Sequence, residues 1–219
     1  MPPAAPAPIG PAGLAFAEAW AHEGASADDV LTGAVARAAE LGVTAVDAAV
    51  GATLRVLVGA LAARAVVEAG TGAGVSGLWL LGGMRPDGVL TTVDVEAEHQ
   101  RAARQAFTEA GLATNRFRLI NGGAGEVLPR LTDGAYDAVV VDADREGYPR
   151  YLEQAARLLR VGGVVAFVGV LAGDRVTDTT QRDPATLALR ELTRSLREDD
   201  RFDAALLPVG DGLLLATRR

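Results

Sequence analysis

From Ala65 to the C-terminus, short apolar runs alternate with amphipathic stretches, and this alternation constrains the fold of the 219-residue chain more than any other feature. The runs are Ala65–Ala69, Val89–Val95, Phe117–Ile120, Asp137–Val141 and Val164–Val170, the last introduced by Gly162-Gly163. Each is shorter than a stable helix, and runs such as Val139-Val140-Val141 are β-branched without polar alternation, as expected of strands buried on both faces of a parallel sheet. The segments between them, through about Met84, Glu96–Ala110, Glu126–Leu131 and Tyr148–Leu159, read as helices covering that sheet. After a helix over Pro184–Arg197, the runs Phe202–Pro208 and Leu213–Thr217 are joined by Gly210-Asp211-Gly212, which reads as an antiparallel hairpin. The expected fold is α/β: a doubly wound, mostly parallel, seven-stranded sheet closed by an antiparallel C-terminal hairpin.

Upstream of residue 65 the pattern is helical. Ser26-Ala27-Asp28-Asp29 reads as a helix start, with Ser26 as the cap and two acids in the positive first turn. The stripe Val30, Leu31, Ala34, Val35, Ala38 and Leu41 follows and ends at Gly42, and a second helix is expected over Ala48–Ala63. Residues 1–25, rich in Pro and Ala, are expected to be a partly disordered segment, with residues 26–219 as one domain carrying a helical N-terminal extension.

Composition narrows the function classes. The absence of cysteine excludes disulfides, thiolate metal sites and a cysteine nucleophile. A net charge of −7 without a concentrated basic face argues against a nucleic-acid partner and for a small-molecule substrate. The first residues lack the basic character of a secretory signal, and no apolar run reaches the ~20 residues of a membrane span, so a cytoplasmic location and no membrane partner are expected. All 21 basic residues are arginine, which matters below.

The chemistry-bearing motif is Glu68-Ala69-Gly70-Thr71-Gly72-Ala73-Gly74-Val75-Ser76-Gly77, placed after a strand and before a helix. Its glycines allow a tight turn and let backbone N–H groups approach a ligand. Counted from Gly70, the first glycine after the strand, a dinucleotide fingerprint, Gly-x-Gly-x-x-Gly, would place its last glycine at Val75, so nicotinamide binding is the weaker reading of the loop. The spacing Glu-x-Gly-x-Gly-x-Gly is instead that of adenosylmethionine binders. Asp94, at the end of the next strand, can accept hydrogen bonds from both ribose hydroxyls. Ser76, at the helix start, can donate to a carboxylate aided by the helix dipole.

The chain resembles the bacterial O-methyltransferases related to catechol and caffeoyl-CoA O-methyltransferases, with the Rossmann-like class I methyltransferase fold. The resemblance rests on Val67 through Ser76, Thr91-Thr92-Val93-Asp94, Glu126-Val127-Leu128-Pro129, Tyr136-Asp137 through Val141-Asp142-Ala143-Asp144, and Leu207 through Gly212. It implies S-adenosylmethionine as cofactor, with contacts from Val46, Glu68, Gly70, Thr71, Gly72, Ser76, Asp94 and Asp142, and from Gly123 and Ala124 beside the adenine. It also implies a homodimer, with the N-terminal helices as candidate interface.

The chain departs from that pattern where the methyl acceptor would sit. The resemblance implies a divalent metal held by an Asp after the fourth strand and an Asp-Asn pair after the fifth, activating a hydroxyl. Asp142 keeps the first position, but the pair falls on Val168-Gly169. The family's general-base lysine falls on Arg145, which stays protonated and cannot accept a proton. Three readings stay open: a metal-independent methyltransferase in which Asp142, Asp144 or Tyr148 activates a small hydroxylated acceptor; a metal site rebuilt on Asp142 by Asp174 or Asp178; or a cofactor-binding sensor or regulatory subunit that has lost catalysis. His99 is expected on a solvated helix face. His22 reads as a surface residue that can serve as a base if the N-terminal segment approaches the acceptor.

Overall fold

A computed structural model describes residues 10–26 and 28–219, without the side chain of Ser26. Of the segment 1–25 expected to be partly disordered, residues 1–9 lie outside the described residues, as does the cap assigned to the Ser26 side chain. Three helices precede the sheet: α1 (Pro11–Ser26), α2 (Asp29–Glu40) and α3 (Ala48–Ala60). Helix α1 occupies a stretch to which the sequence pattern assigned no element. Helix α2 is capped by Asp28, whose carboxylate accepts from the amides of Val30 and Leu31 at 3.0 Å each. Asp47 caps α3 in the same way through Ala49 N at 2.7 Å.

The alternating part follows as β1 (Ala65–Ala69), α4 (Val75–Gly83), β2 (Val89–Asp94), α5 (Ala97–Glu109), β3 (Phe117–Asn121), α6 (Ala124–Val127), β4 (Tyr136–Val141), α7 (Tyr148–Leu158), β5 (Leu159–Val168), α8 (Pro184–Glu198), β6 (Phe202–Leu207) and β7 (Leu213–Arg218). The seven strands form one sheet in the order β3-β2-β1-β4-β5-β7-β6. Strands β1 to β5 pair in parallel, and β7 runs antiparallel to both β5 and β6. The doubly wound sheet with its closing hairpin is thus the observed fold.

One boundary differs from expectation. Strand β5 starts at Leu159 rather than after the Gly162-Gly163 pair, because Leu159 pairs with Tyr136 and the register then shifts before Val164 meets Ala138. The irregularity absorbs the glycines inside the strand.

The core lies on both faces of the sheet, as strands without polar alternation require. Val67, Val139, Val141, Val165 and Phe167 face one side, where they pack with residues of α7 and α8 such as Tyr151, Leu152, Leu189 and Leu192. Their neighbours Val66, Ala138, Val140 and Ala166 face the other, against Leu54, Leu80 and Phe107 of α3, α4 and α5. That alternation decides which face each strand residue takes, while the parallel pairing of β1, β2 and β4 decides where their tips lie. The C-terminal ends of β1, β2 and β4 consequently open on the same edge, where doubly wound sheets take their ligands.

Candidate active site

The loop between β1 and α4 crosses that edge, and its shape is set by contacts a side chain would destroy. Gly70 has φ +98°, and a Cβ there would collide with the carbonyl oxygen of Asp142. Only glycine combines that backbone angle with so close an approach. The Gly72 amide donates to Asp94 Oδ2 at 2.9 Å, tying the loop to the tip of β2. The other carboxylate oxygen, Asp94 Oδ1, accepts from Glu96 N at 2.9 Å and lies 3.2 Å from His99 Nδ1. The acid is therefore held in one orientation before any ligand arrives.

Beneath the loop runs a buried polar chain. Thr92 donates to Glu68 Oε2 at 2.6 Å, which leaves the Thr71 hydroxyl as donor in its 2.7 Å contact with Thr92. The Gln100 amide donates to Thr71 Oγ1 at 3.3 Å and to the Ile120 carbonyl at 2.8 Å. Glu68 has no exposed surface, and its Oε1 makes no hydrogen bond among the described residues. Burial lifts its proton affinity to about 7; the Thr92 and Ser76 hydroxyls pull it down, and the Asp142 and Asp94 charges push it up.

Loop, strand tips and the α2–α3 connection enclose a cavity of about 660 Å³, within the ~300–1,000 Å³ usual for small-ligand sites. The sequence-derived cofactor residues Val46, Gly70, Thr71, Gly72, Ser76 and Asp94 line it, and so do Gly123, Ala124 and Asp142 from the far wall. Of the cofactor candidates, Glu68 alone does not: it lies below the loop and supports it through the threonines. His99 is a correction, since it faces the cavity beside Asp94 instead of standing on a solvated face.

The three candidate catalytic groups separate. Asp142 lines the cavity, and burial raises its proton affinity to about 6 against the opposing charge of Arg145. Asp144 also lines it, but its Oδ1 accepts the Tyr151 hydroxyl at 2.5 Å. Tyr148 is not brought to the cavity. It is fully buried, its ring tilted against Phe167 with centroids 5.4 Å apart, and its hydroxyl donates to the Val168 carbonyl at 2.9 Å. Burial also raises its proton affinity, so the hydroxyl stays protonated and has neither the position nor the protonation state of a base. Tyr151 and Arg150, one helical turn on or less, are among the cavity residues that sequence reasoning missed, as are Thr44, Glu96 and Glu126; the sequence signal for the first two was proximity to Tyr148.

The metal donor set does not fit a hard cation. Val168 and Gly169 stand where the Asp-Asn pair is implied, and neither carries a donor side chain. The Asp178 carboxylate is held within its own turn by Thr180 N at 2.9 Å and Thr180 Oγ1 at 2.7 Å. Among the described residues no three His, Asp or Glu side chains converge to hold an ion, so the rebuilding of a site by Asp174 or Asp178 is not seen. His22 Nε2 lies 3.5 Å from Asp47 Oδ2 with its side chain 61% exposed, on the surface as expected.

The comparisons with known proteins agree with this geometry. A protein of Mycobacteroides abscessus that bears an O-methyltransferase name is 55% identical over 197 residues, 90% of this chain and 92% of the relative. The O-methyltransferase TomG of Streptomyces achromogenes, involved in tomaymycin synthesis and solved in complex with SAM, superposes with a TM-score of 0.81 at 30% identity, covering 87% of this chain and 90% of its own. An O-methyltransferase of Bacillus cereus in complex with SAH gives a TM-score of 0.81 at 27% identity, covering 88% and 91%. The sequence model of the O-methyltransferase family matches residues 29–219, nearly the whole described domain, and the chain belongs to that family.

Proposed function

We propose that the chain transfers a methyl group from S-adenosylmethionine to an oxygen of a small hydroxylated molecule, without the divalent metal that the catechol-type relatives imply. The observation that carries the reading is the pre-set Asp94 carboxylate facing the Gly70–Gly74 loop across a cavity of ligand size. Asp94 would take the ribose hydroxyls, and the amides of the loop with the Ser76 hydroxyl would take the amino-acid tail at the N-terminus of α4. Gly123 and Ala124 would flank the adenine. The cofactor, when bound, supplies an electrophilic methyl on a positive sulfur. The protein's part is alignment of the acceptor with that methyl, which by itself lowers such a barrier by several kcal/mol. Asp142, with a proton affinity of about 6 and a place on the cavity wall, is the group suited to receive a hydroxyl proton.

The test is calorimetric titration with S-adenosylmethionine and S-adenosylhomocysteine. Both should bind, and Asp94→Ala should weaken them about tenfold or more, the worth of a charge-assisted pair of hydrogen bonds. No heat at millimolar ligand would overturn the reading. A cofactor-binding sensor without turnover is the second reading, favoured by an arginine at position 145 where the family's base stands. Methyl-transfer assays on a panel of phenols with and without chelator separate the two.

A homodimer is proposed as well. Phe16 and Trp20, one turn apart on α1, are 73% and 69% exposed, which suits the N-terminal helices as the interface; sedimentation would show a monomer if this is wrong. A cytoplasmic location fits an acidic chain in which no helix of the described residues is long and apolar enough to cross a membrane.

A further inference from the structure

Beyond Asp142, away from the glycine loop, the chain carries a fixed positive charge. The Arg145 guanidinium lies over Gly169 at the C-terminal end of β5. Its Nη2 would be 2.9 Å from a Cβ at that position. The same nitrogen donates to Asp211 Oδ2 at 3.1 Å, and Asp211 Oδ1 is itself held by the Gly173 amide at 2.7 Å. The hairpin turn between β6 and β7 therefore anchors the guanidinium through a carboxylate fixed at both ends. Gly169 gives it room: any side chain there would push it aside.

We propose that Arg145 replaces the metal as the cation of the acceptor site and receives an anionic oxygen of the acceptor, so that the preferred acceptors arrive already ionised, as carboxylates or acidic phenols. The proposal rests on the methyl-transfer reading above and deepens it.

Three observations support it. First, the cation stands next to the cavity wall: Arg145 directly follows the lining residue Asp144, leans on Gly169, where the resemblance implies a missing metal ligand, and its charge is felt by Asp142. Second, it has donors to spare. A guanidinium carries five N–H groups in a planar fork suited to two oxygens. Among the described residues only the Asp211 bond draws on them, and the side chain is 37% exposed. Third, an ionised acceptor removes the proton transfer that would otherwise fall to Asp142. Arg145 cannot take a proton and the Tyr148 hydroxyl is locked on Val168. When an oxygen anion attacks, its lone pair forms the O–CH3 bond. The S–CH3 electron pair stays on sulfur to give the neutral thioether, and no proton has to move.

The test uses protein loaded with S-adenosylhomocysteine in buffer containing EDTA, titrated with benzoate, 4-nitrophenolate and the neutral isostere benzyl alcohol. The anions should bind about tenfold or more tighter than the alcohol. Arg145→Gln should erase that preference while S-adenosylhomocysteine affinity stays within about twofold, which also reports an intact fold. Arg145→Lys, a point charge without the fork, should keep only part of it. Equal binding of alcohol and anions, no anion binding at all, anion binding that needs added magnesium, or an unchanged preference in Arg145→Gln would each overturn the proposal. Failure of S-adenosylhomocysteine to bind would instead remove the cofactor reading on which it stands.

Discussion

The Thr92 hydroxyl donates to Glu68 Oε2 at 2.6 Å inside a part of the protein that water does not reach, while Glu68 Oε1 finds no hydrogen-bond partner among the described residues. Burial raises the Glu68 proton affinity from 4.5 to about 7. The folded chain thus keeps a proton between those values that the unfolded chain releases. Stability from this group is full below pH 4.5, falls as pH rises toward 7 and is level above it. Glu68→Gln keeps an acceptor for Thr92 and removes the charge. It should raise the melting temperature at pH 8, by an amount corresponding to at most about 3 kcal/mol, and leave it nearly unchanged at pH 4.5. A pH-independent difference between variant and parent would refute the assignment.

Gly70 answers a different demand. Its backbone angle of +98° and its approach to the Asp142 carbonyl leave no room for a methyl group. Gly70→Ala is expected to cost about 3 kcal/mol or more, because strain and collision add at one position. Thermal unfolding and S-adenosylhomocysteine titration should both report the damage. Retention of affinity and melting temperature would mean the β1 and β4 tips are farther apart than the geometry gives.

The sheet was legible because its signal is local and redundant: short, largely apolar runs recurring between amphipathic stretches leave few alternatives. The glycine loop and Asp94 were legible because fold and ligand impose the same spacing. What the sequence did not reveal depends on side-chain direction. Tyr148 and Tyr151 sit three residues apart on one helix. The first turns into the core on Phe167 and the second reaches the cavity rim at Asp144, and nothing in the string of letters ranks one above the other. His99 was read as solvated because its helix is polar there, yet the first turn of α5 brings it beside Asp94. Helix α1 escaped notice because its Ala- and Gly-rich stretch has no cap signal and no clear apolar stripe.

The two tyrosines should therefore respond differently to loss of the hydroxyl. Tyr148→Phe removes the bond to Val168 O and should lower stability by about 1 kcal/mol, with methyl transfer to any acceptor found on the phenol panel within about twofold of the parent. Tyr151→Phe frees the Asp144 carboxylate at the cavity rim and should shift cofactor affinity instead. A large fall in kcat for Tyr148→Phe with unchanged KM and melting temperature would restore Tyr148 as a catalytic group.

Gly169→Asn tests whether the acceptor site can be returned toward the family pattern by one donor. Asparagine tolerates the φ of +69° better than most residues, and the neighbour at 2.9 Å is the far end of a flexible side chain, so the variant should fold. The new side chain must displace the Arg145 guanidinium, because both need the same space. It brings an amide oxygen to a place that still has valine on one side and a guanidinium close by, a combination that cannot replace the oxygen shell of magnesium. The expected result is no magnesium binding by calorimetry at millimolar ion, together with a several-fold loss of preference for anionic over neutral acceptors. Acquired magnesium binding would mean that the cation at Arg145 is not what keeps a metal out, and that Asp142 and one amide suffice to hold an ion.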